Sequence, residues 1–145
     1  MPRQQHLLRL TLPIPPSINE QYATVNGMRV STAVARRFKQ QVRQKLTALE
    51  RAGKLGETLR THLRQDYLAL LLVFYFETPL KRDLDGGLKI TQDALCESLG
   101  INDNRIVTIH LVKYIDPLHP HLDVELEALD DWQFDEEYAL LPKAF

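Results

Sequence analysis

One cysteine, Cys96, is the only thiol in the 145-residue chain. A lone cysteine cannot close an internal disulfide, so a reducing compartment is the default expectation. No charged-then-apolar leader opens the sequence, so no secretory signal is visible, and the cytoplasm is the expected location. The longest apolar stretch, Leu68 to Phe76, is too short to cross a bilayer as a helix, so no membrane partner is expected. Internal repeats and low-complexity segments are absent. The basic excess of a simple nucleic-acid binder is absent too, because the formal net charge is −1.

That near-neutral mean conceals an asymmetry. Residues 1–65 carry 12 Lys and Arg against 3 Asp and Glu, a balance of +9; residues 66–145 carry 6 against 16, a balance of −10. A basic half and an acidic half suit a protein that holds a polyanion with one region and metal ions with the other. The same split also fits two ordinary solvated surfaces. The length and the 44% hydrophobic content indicate one soluble globular domain spanning residues 1–145.

Periodicity and punctuation divide the chain into elements. Leu7–Leu12 is a short strand stopped by Pro13, Pro15 and Pro16. Tyr22–Val25 and Met28–Ser31 flank Asn26-Gly27, the dipeptide favoured by a tight hairpin turn. Ser31 or Thr32 caps a helix reaching about Ala52, with Ala35, Phe38, Val42, Leu46 and Leu49 as its buried stripe. Arg36, Lys39 and Arg43 flank that stripe. Glu57–Arg64 is a second helix after Gly53 and Gly56. Tyr67–Glu77 is apolar on both faces, the pattern of a central strand covered on each side. A helix is expected from about Leu84 to Leu99, with Leu84, Leu88, Thr91, Leu95 and Leu99 inward. Arg105–Ile115 and Leu122–Leu129 are strands, and His110 is expected to be half-buried in the first of them. An acidic tail begins near Asp130 and includes Asp131, Glu136 and Glu137. The order predicts an α+β domain: a mixed sheet of about four strands packed with helices.

Chemistry concentrates around the third helix. On a helix from Leu84, the residues Asp85, Lys89 and Asp93 follow one another at i, i+4 and i+8 and form a polar stripe, with Cys96 at its edge. Asp83 stands at the strand-to-helix junction. Two carboxylates there supply hard oxygen ligands for Mg²⁺ or Mn²⁺. Phosphodiester hydrolysis needs a metal to generate hydroxide and positive charge for the developing oxyanion, and Lys89 can supply the latter. The bland alternative is a capped helix start with an exposed salt-bridge ladder.

The run Arg82-Asp83-Leu84-Asp85-Gly86-Gly87-Leu88-Lys89, then Asp93-Ala94-Leu95, then Asn102-Asp103-Asn104-Arg105-Ile106-Val107 resembles the signature of the RusA family of Holliday-junction resolvases. Leu10-Thr11-Leu12-Pro13-Ile14-Pro15-Pro16-Ser17-Ile18-Asn19 is similar to that family's opening strand and Pro-Pro-Ser-x-Asn turn, and Ser31 also matches. The resemblance covers about residues 8–115. It implies a RusA-like fold and a homodimer that binds four-way DNA junctions and cuts two strands symmetrically with Mg²⁺, in DNA recombination and repair. It further implies Asp83, Asp85 and Asp103 as metal-binding catalytic carboxylates and Lys89 as the catalytic lysine. Arg82 and the turn residues Ser17 and Asn19 would be DNA contacts, and Arg36, Lys39 and Arg43 would join them on phosphates. Three departures stand out. Gly86 replaces the family's asparagine. Asp103 aligns with the second acid only across a one-residue deletion. Glu20 and Gln21 replace basic and aromatic residues after the turn. A helix of about 14 residues also carries the chain about 20 Å from Asp83, so Asp103 must fold back or serve a partner's site. A non-catalytic junction-binding module, and a related nuclease for other branched DNA, remain open.

Other features have plainer expectations. His119-Pro120-His121 fits a polar turn better than a zinc site, which would need further ligands. Cys96 is expected to pack rather than react. Trp132 and Phe134 would dock on the domain or on a partner.

Overall fold

The computed structural model describes residues 5–80 and 82–134. Four strands form one mixed sheet: β1 (His6–Leu12), β4 (Tyr67–Phe76), β5 (Ile106–Ile115) and β6 (His121–Leu129), in the order β1-β6-β4-β5. A separate hairpin pairs β2 (Tyr22–Val25) with β3 (Met28–Ser31). Helices α1 (Ala33–Arg51), α2 (Glu57–Gln65) and α3 (Leu88–Leu99) complete an α+β architecture. No helix among the described residues is long and apolar enough to cross a membrane.

The local chemistry explains most of these elements. Asn26 and Gly27 both take positive φ, 52° and 76°, as the hairpin turn requires. Thr32 caps α1 by accepting a hydrogen bond from the Ala35 amide, and Ala35, Phe38, Val42 and Leu46 turn inward. On the sheet, Leu70, Leu72 and Phe74 of β4 stand beside Leu126, Val124 and Leu122 of β6, with Leu8, Leu10 and Leu12 of β1 beyond. These residues, the α1 stripe and Ile90, Ala94, Leu95 and Leu99 of α3 make one continuous core.

Several boundaries differ from expectation. β4 is central by position, but only its Leu68–Phe76 face is fully buried; Tyr67, Ala69, Leu71, Val73 and Tyr75 on the other face are half-buried. Aromatic neighbours border that second face: Tyr75 stacks on His121 at 4.3 Å, and Phe134 meets Tyr67 edge-on at 5.0 Å. His110 is exposed rather than half-buried, because β5 is an edge strand. The third helix starts at Leu88, not Leu84. Residues 84–87 form turns in which the Gly86 amide donates to the Asp83 carbonyl at 3.3 Å and the Leu88 amide to the Asp85 carbonyl at 3.1 Å. Two adjacent glycines lower helix propensity there. Trp132 and Phe134 lie within the described residues, with rings in edge contact at 6.2 Å. Glu136 and Glu137 lie outside them.

β4 and β5 are parallel, and α3 makes the crossover between them. The Asp83–Gly87 turn therefore sits beyond the carboxyl end of β4, at the amino end of α3. Loops in this position carry ligand sites in parallel α/β units generally.

Candidate nucleic-acid-processing site

The loop leading into α3 is held from three directions. Lys113 of β5 donates from Nζ to the Pro79 carbonyl at 3.0 Å and to the Arg82 carbonyl at 2.9 Å. Arg82 itself turns inward: Nη2 donates to the Pro15 carbonyl at 2.6 Å, and its guanidinium lies 5.4 Å from the Phe76 ring centre. Burial pulls the Arg82 guanidinium below its ordinary pKa, against an opposing pull from Glu20. Arg82 thus braces the Pro-Pro turn with one edge of its fork.

Gln21 supplies the third tie. It is buried to 3% exposure, and its side-chain amide donates to the Pro16 carbonyl at 3.0 Å and to the Gly86 carbonyl at 3.1 Å. Both amide hydrogens are thereby used to join two turns far apart in sequence. Nothing in the residues around Gln21 pointed to this; the signal available was the proline turn beside it, whose prolines carry carbonyls but no N–H donors. Gly87 closes the join, since a β-carbon there would lie 2.4 Å from Pro15 Cγ. Gly87 is the residue small enough to let the Pro15 ring approach.

The expected acids fall into two groups. Asp83 and Asp85 are exposed on the turn. Asp85 precedes α3, so the continuous Asp85–Lys89–Asp93 stripe is interrupted at its first member. Lys89 and Asp93 remain on the helix one turn apart, with Nζ 3.4 and 3.3 Å from the two carboxylate oxygens. Asp93, through this hydrogen bond, holds the Lys89 ammonium above its ordinary pKa, and Asp103 adds to the effect.

Asp103 does come back along its own chain. Gly100 ends α3 at φ 69°, in the left-handed conformation, and the Ile101 amide donates to the Cys96 carbonyl at 2.9 Å. That pairing is a Schellman turn, which reverses the chain against the helix it has just left. Arg64 caps the same end, its Nε donating to the Leu99 carbonyl at 3.1 Å. Buried Ile101 pins the turn, and a short 3₁₀ segment (Asp103–Arg105) follows. Asp103 then lines a groove of about 200 Å³ with Asp93, Cys96, Glu97, Ile101 and Asn102. Cys96 borders Asp93 in this groove and is buried, packed into the core. Burial first, then Asp103, Asp93 and Glu97, push its thiol up to about 11.

The remaining expected contacts ring this region. Ser17 donates to Glu20 at 3.1 Å, and Asn19 is exposed beside it. Arg36 donates to the Ser31 carbonyl at the hairpin base. Lys39 pairs with Glu97 of α3 at 3.2 Å, and Arg43 is exposed one turn further along α1. His121 begins β6 and donates from Nδ1 to the His119 carbonyl, and the His119 amide donates to Asp116, so the pair closes the turn that leads into β6.

Among the described residues, no group of three or more His, Cys, Asp and Glu side chains is placed to hold a metal ion. Asp83, Asp85 and Asp103 therefore do not form one ready ligand set within a single chain. Lys89, Asp93 and Asp103 are brought together instead. Compared with protein-family models and with curated proteins, the chain matches none.

Proposed function

We propose that the protein is an endonuclease acting on branched DNA, resolving four-way junctions by paired symmetric cuts as a homodimer. One observation carries the reading. The segments that resemble the RusA signature lie far apart in the chain and pack together. Gln21 and Arg82 tie the Pro15–Ser17 turn to the Arg82–Gly87 turn, and Asp103 returns beside Lys89 and Asp93. Residues that merely cap helices have no reason to converge in this way.

In this reading Lys89 binds the phosphate next to the scissile bond and neutralises charge that builds on it. Asp93 fixes the position of the ammonium group. Arg36, Lys39 and Arg43 on α1 take flanking phosphates and set the strand's path. Mg²⁺ belongs to the reading through the resemblance, with Asp83, Asp85 and Asp103 as its ligands. The separation of these acids in one chain does not fit a three-carboxylate metal centre as it stands. That observation favours the second reading, a junction-binding module without catalysis.

The two readings part in one assay. A synthetic four-way junction is incubated with the full chain, with and without Mg²⁺, beside Asp85→Asn. The nuclease reading expects metal-dependent nicks placed symmetrically on two strands and their loss in the variant. Tight binding without metal-dependent cleavage, or an unimpaired variant, overturns it. Flaps, forks and plain duplex in the same panel identify a nuclease for other branched DNA.

A further inference from the structure

The β2–β3 hairpin stands apart from the main sheet, and all its residues except Ser31 are exposed. Its register sorts the side chains onto two faces. Tyr22 pairs with Ser31 and Thr24 with Arg29, while Ala23 pairs with Val30 and Val25 with Met28. Paired residues share a face, so one face is Tyr22, Thr24, Arg29 and Ser31, and the other is wholly apolar. The polar face is the one turned to the candidate site. Tyr22 and Ser31 line a crevice with Lys39 and Asp93, and Tyr22 is close enough to Lys89 to act on its charge.

On this face the Arg29 guanidinium lies 3.9 Å from the centre of the Tyr22 ring. The tyrosine remains 40% exposed. A guanidinium held over a ring face engages the ring without spending its N–H donors, which stay free to meet a phosphate. The uncovered part of the ring offers a π surface to a base. Arg29 adds a cation on this face to Lys39 in the crevice, Lys89 near Tyr22 and Arg36 at the hairpin base. They offset the repulsion that Asp93 and Asp103 exert on a phosphate backbone.

We propose that Tyr22 and Arg29 form a binding element for the substrate strand, Tyr22 stacking on a base freed from the duplex at the branch point and Arg29 holding an adjacent phosphate. This rests on the branched-DNA reading and adds what that reading lacks, a site that recognises unstacked bases rather than duplex phosphates alone. Aromatic stacking of this kind tolerates any base, since each base presents a π face.

The test measures binding of the full chain to a labelled four-way junction in EDTA, across a salt series, so that no cleavage is involved. Tyr22→Leu and Arg29→Ala each weaken binding about tenfold, as loss of one stacked base does. Tyr22→Phe binds like the unmodified chain. Arg29→Ala also lowers the slope of log affinity against log salt by about 0.9, the share of one phosphate contact. All three variants melt like the parent, because the side chains are exposed. Junction binding by the parent, with Tyr22→Leu equally tight or Tyr22→Phe as weak as Tyr22→Leu, overturns the inference while leaving the branched-DNA reading intact. Absence of junction binding by the parent overturns both.

Discussion

A β-carbon built on Gly87 lies 2.4 Å from Cγ of Pro15, inside any permissible contact, and 3.6 Å from Cε1 of Phe74. Gly86, its neighbour, meets nothing closer than the Asp83 carbonyl at 3.5 Å, an ordinary van der Waals distance. The two glycines therefore have different jobs. Gly87→Ala forces the Pro15 ring or the α3 turn to move and costs ~1–3 kcal/mol, the usual range for overpacking. Gly86→Ala leaves stability near that of the parent. Urea denaturation of the two variants checks the contrast, and equal midpoints for both count against the proposed close approach.

Gln21 is the polar counterpart of that contact. Gln21→Leu removes both donors and leaves the Pro16 and Gly86 carbonyls unsatisfied, at about 1–3 kcal/mol for a stranded buried group. Gln21→Glu gives a sharper reading. An ionised carboxylate there faces two carbonyl oxygens, whereas a protonated one can still donate to one of them. Its folded pKa is thus raised above the unfolded value of roughly 4.3. The variant is most stable below that value and loses stability as pH rises through the folded pKa. Thermal melts of Gln21→Glu from acid to neutral pH measure this; a melting temperature that rises toward neutrality relative to the parent contradicts the assigned contacts.

Much of the fold was legible because local rules governed it. Asn26-Gly27 announces a hairpin, and Ala35, Phe38, Val42 and Leu46 announce a buried helical stripe, whatever surrounds them. The start of α3 was not legible. The spacing of Leu84, Leu88, Thr91 and Leu95 continues a helical period straight through Gly86 and Gly87. The low helix propensity of the two glycines and the close approach of the distant Pro15 ring to Gly87 go with the turn there instead, and the second of these lies outside the local pattern. The bridging role of Gln21 was hidden for a like reason, since a glutamine between Glu20 and Tyr22 reads as solvated until Pro16 and Gly86 are seen to converge on it. Asp103 was legible as an acid but not as a neighbour of Asp93. Gly100, just past the last inward leucine, was the signal that the chain could reverse.

Cys96 provides a test of the groove beside Asp103. Its thiol is pushed from 9.0 up to about 11, by burial first and by the surrounding carboxylates after it. The thiolate is the reactive form. Native protein at about pH 8.5 should resist iodoacetamide, and protein unfolded in urea should be labelled at once. Because the folded pKa is raised, the contribution to stability is complete below about 9 and disappears as pH rises through about 11. Rapid alkylation of the native chain counts against a buried Cys96 packed under Asp93 and Asp103.

Placement and chemistry of Asp103 can be separated by comparing it with Gly100 and Lys89. Gly100 holds φ 69°, so Gly100→Ala costs about 1–2 kcal/mol for a left-handed residue with a β-carbon. It loosens the turn that returns Asp103 to α3. Asp103→Asn and Lys89→Met change exposed side chains and leave the melting temperature close to the parent's. If these residues act on the substrate, both abolish junction cleavage without unfolding the chain, while Gly100→Ala lowers stability and cleavage together. Junction affinity in EDTA distinguishes the two exposed variants further. Lys89→Met weakens binding because a phosphate partner is lost, whereas Asp103→Asn removes negative charge from the groove and binds as tightly as the parent or more tightly. Full cleavage by either exposed variant, in a parent chain that cleaves, removes that residue from the reaction, and full cleavage by Lys89→Met leaves the Lys89–Asp93 pair as a helix-surface ion pair.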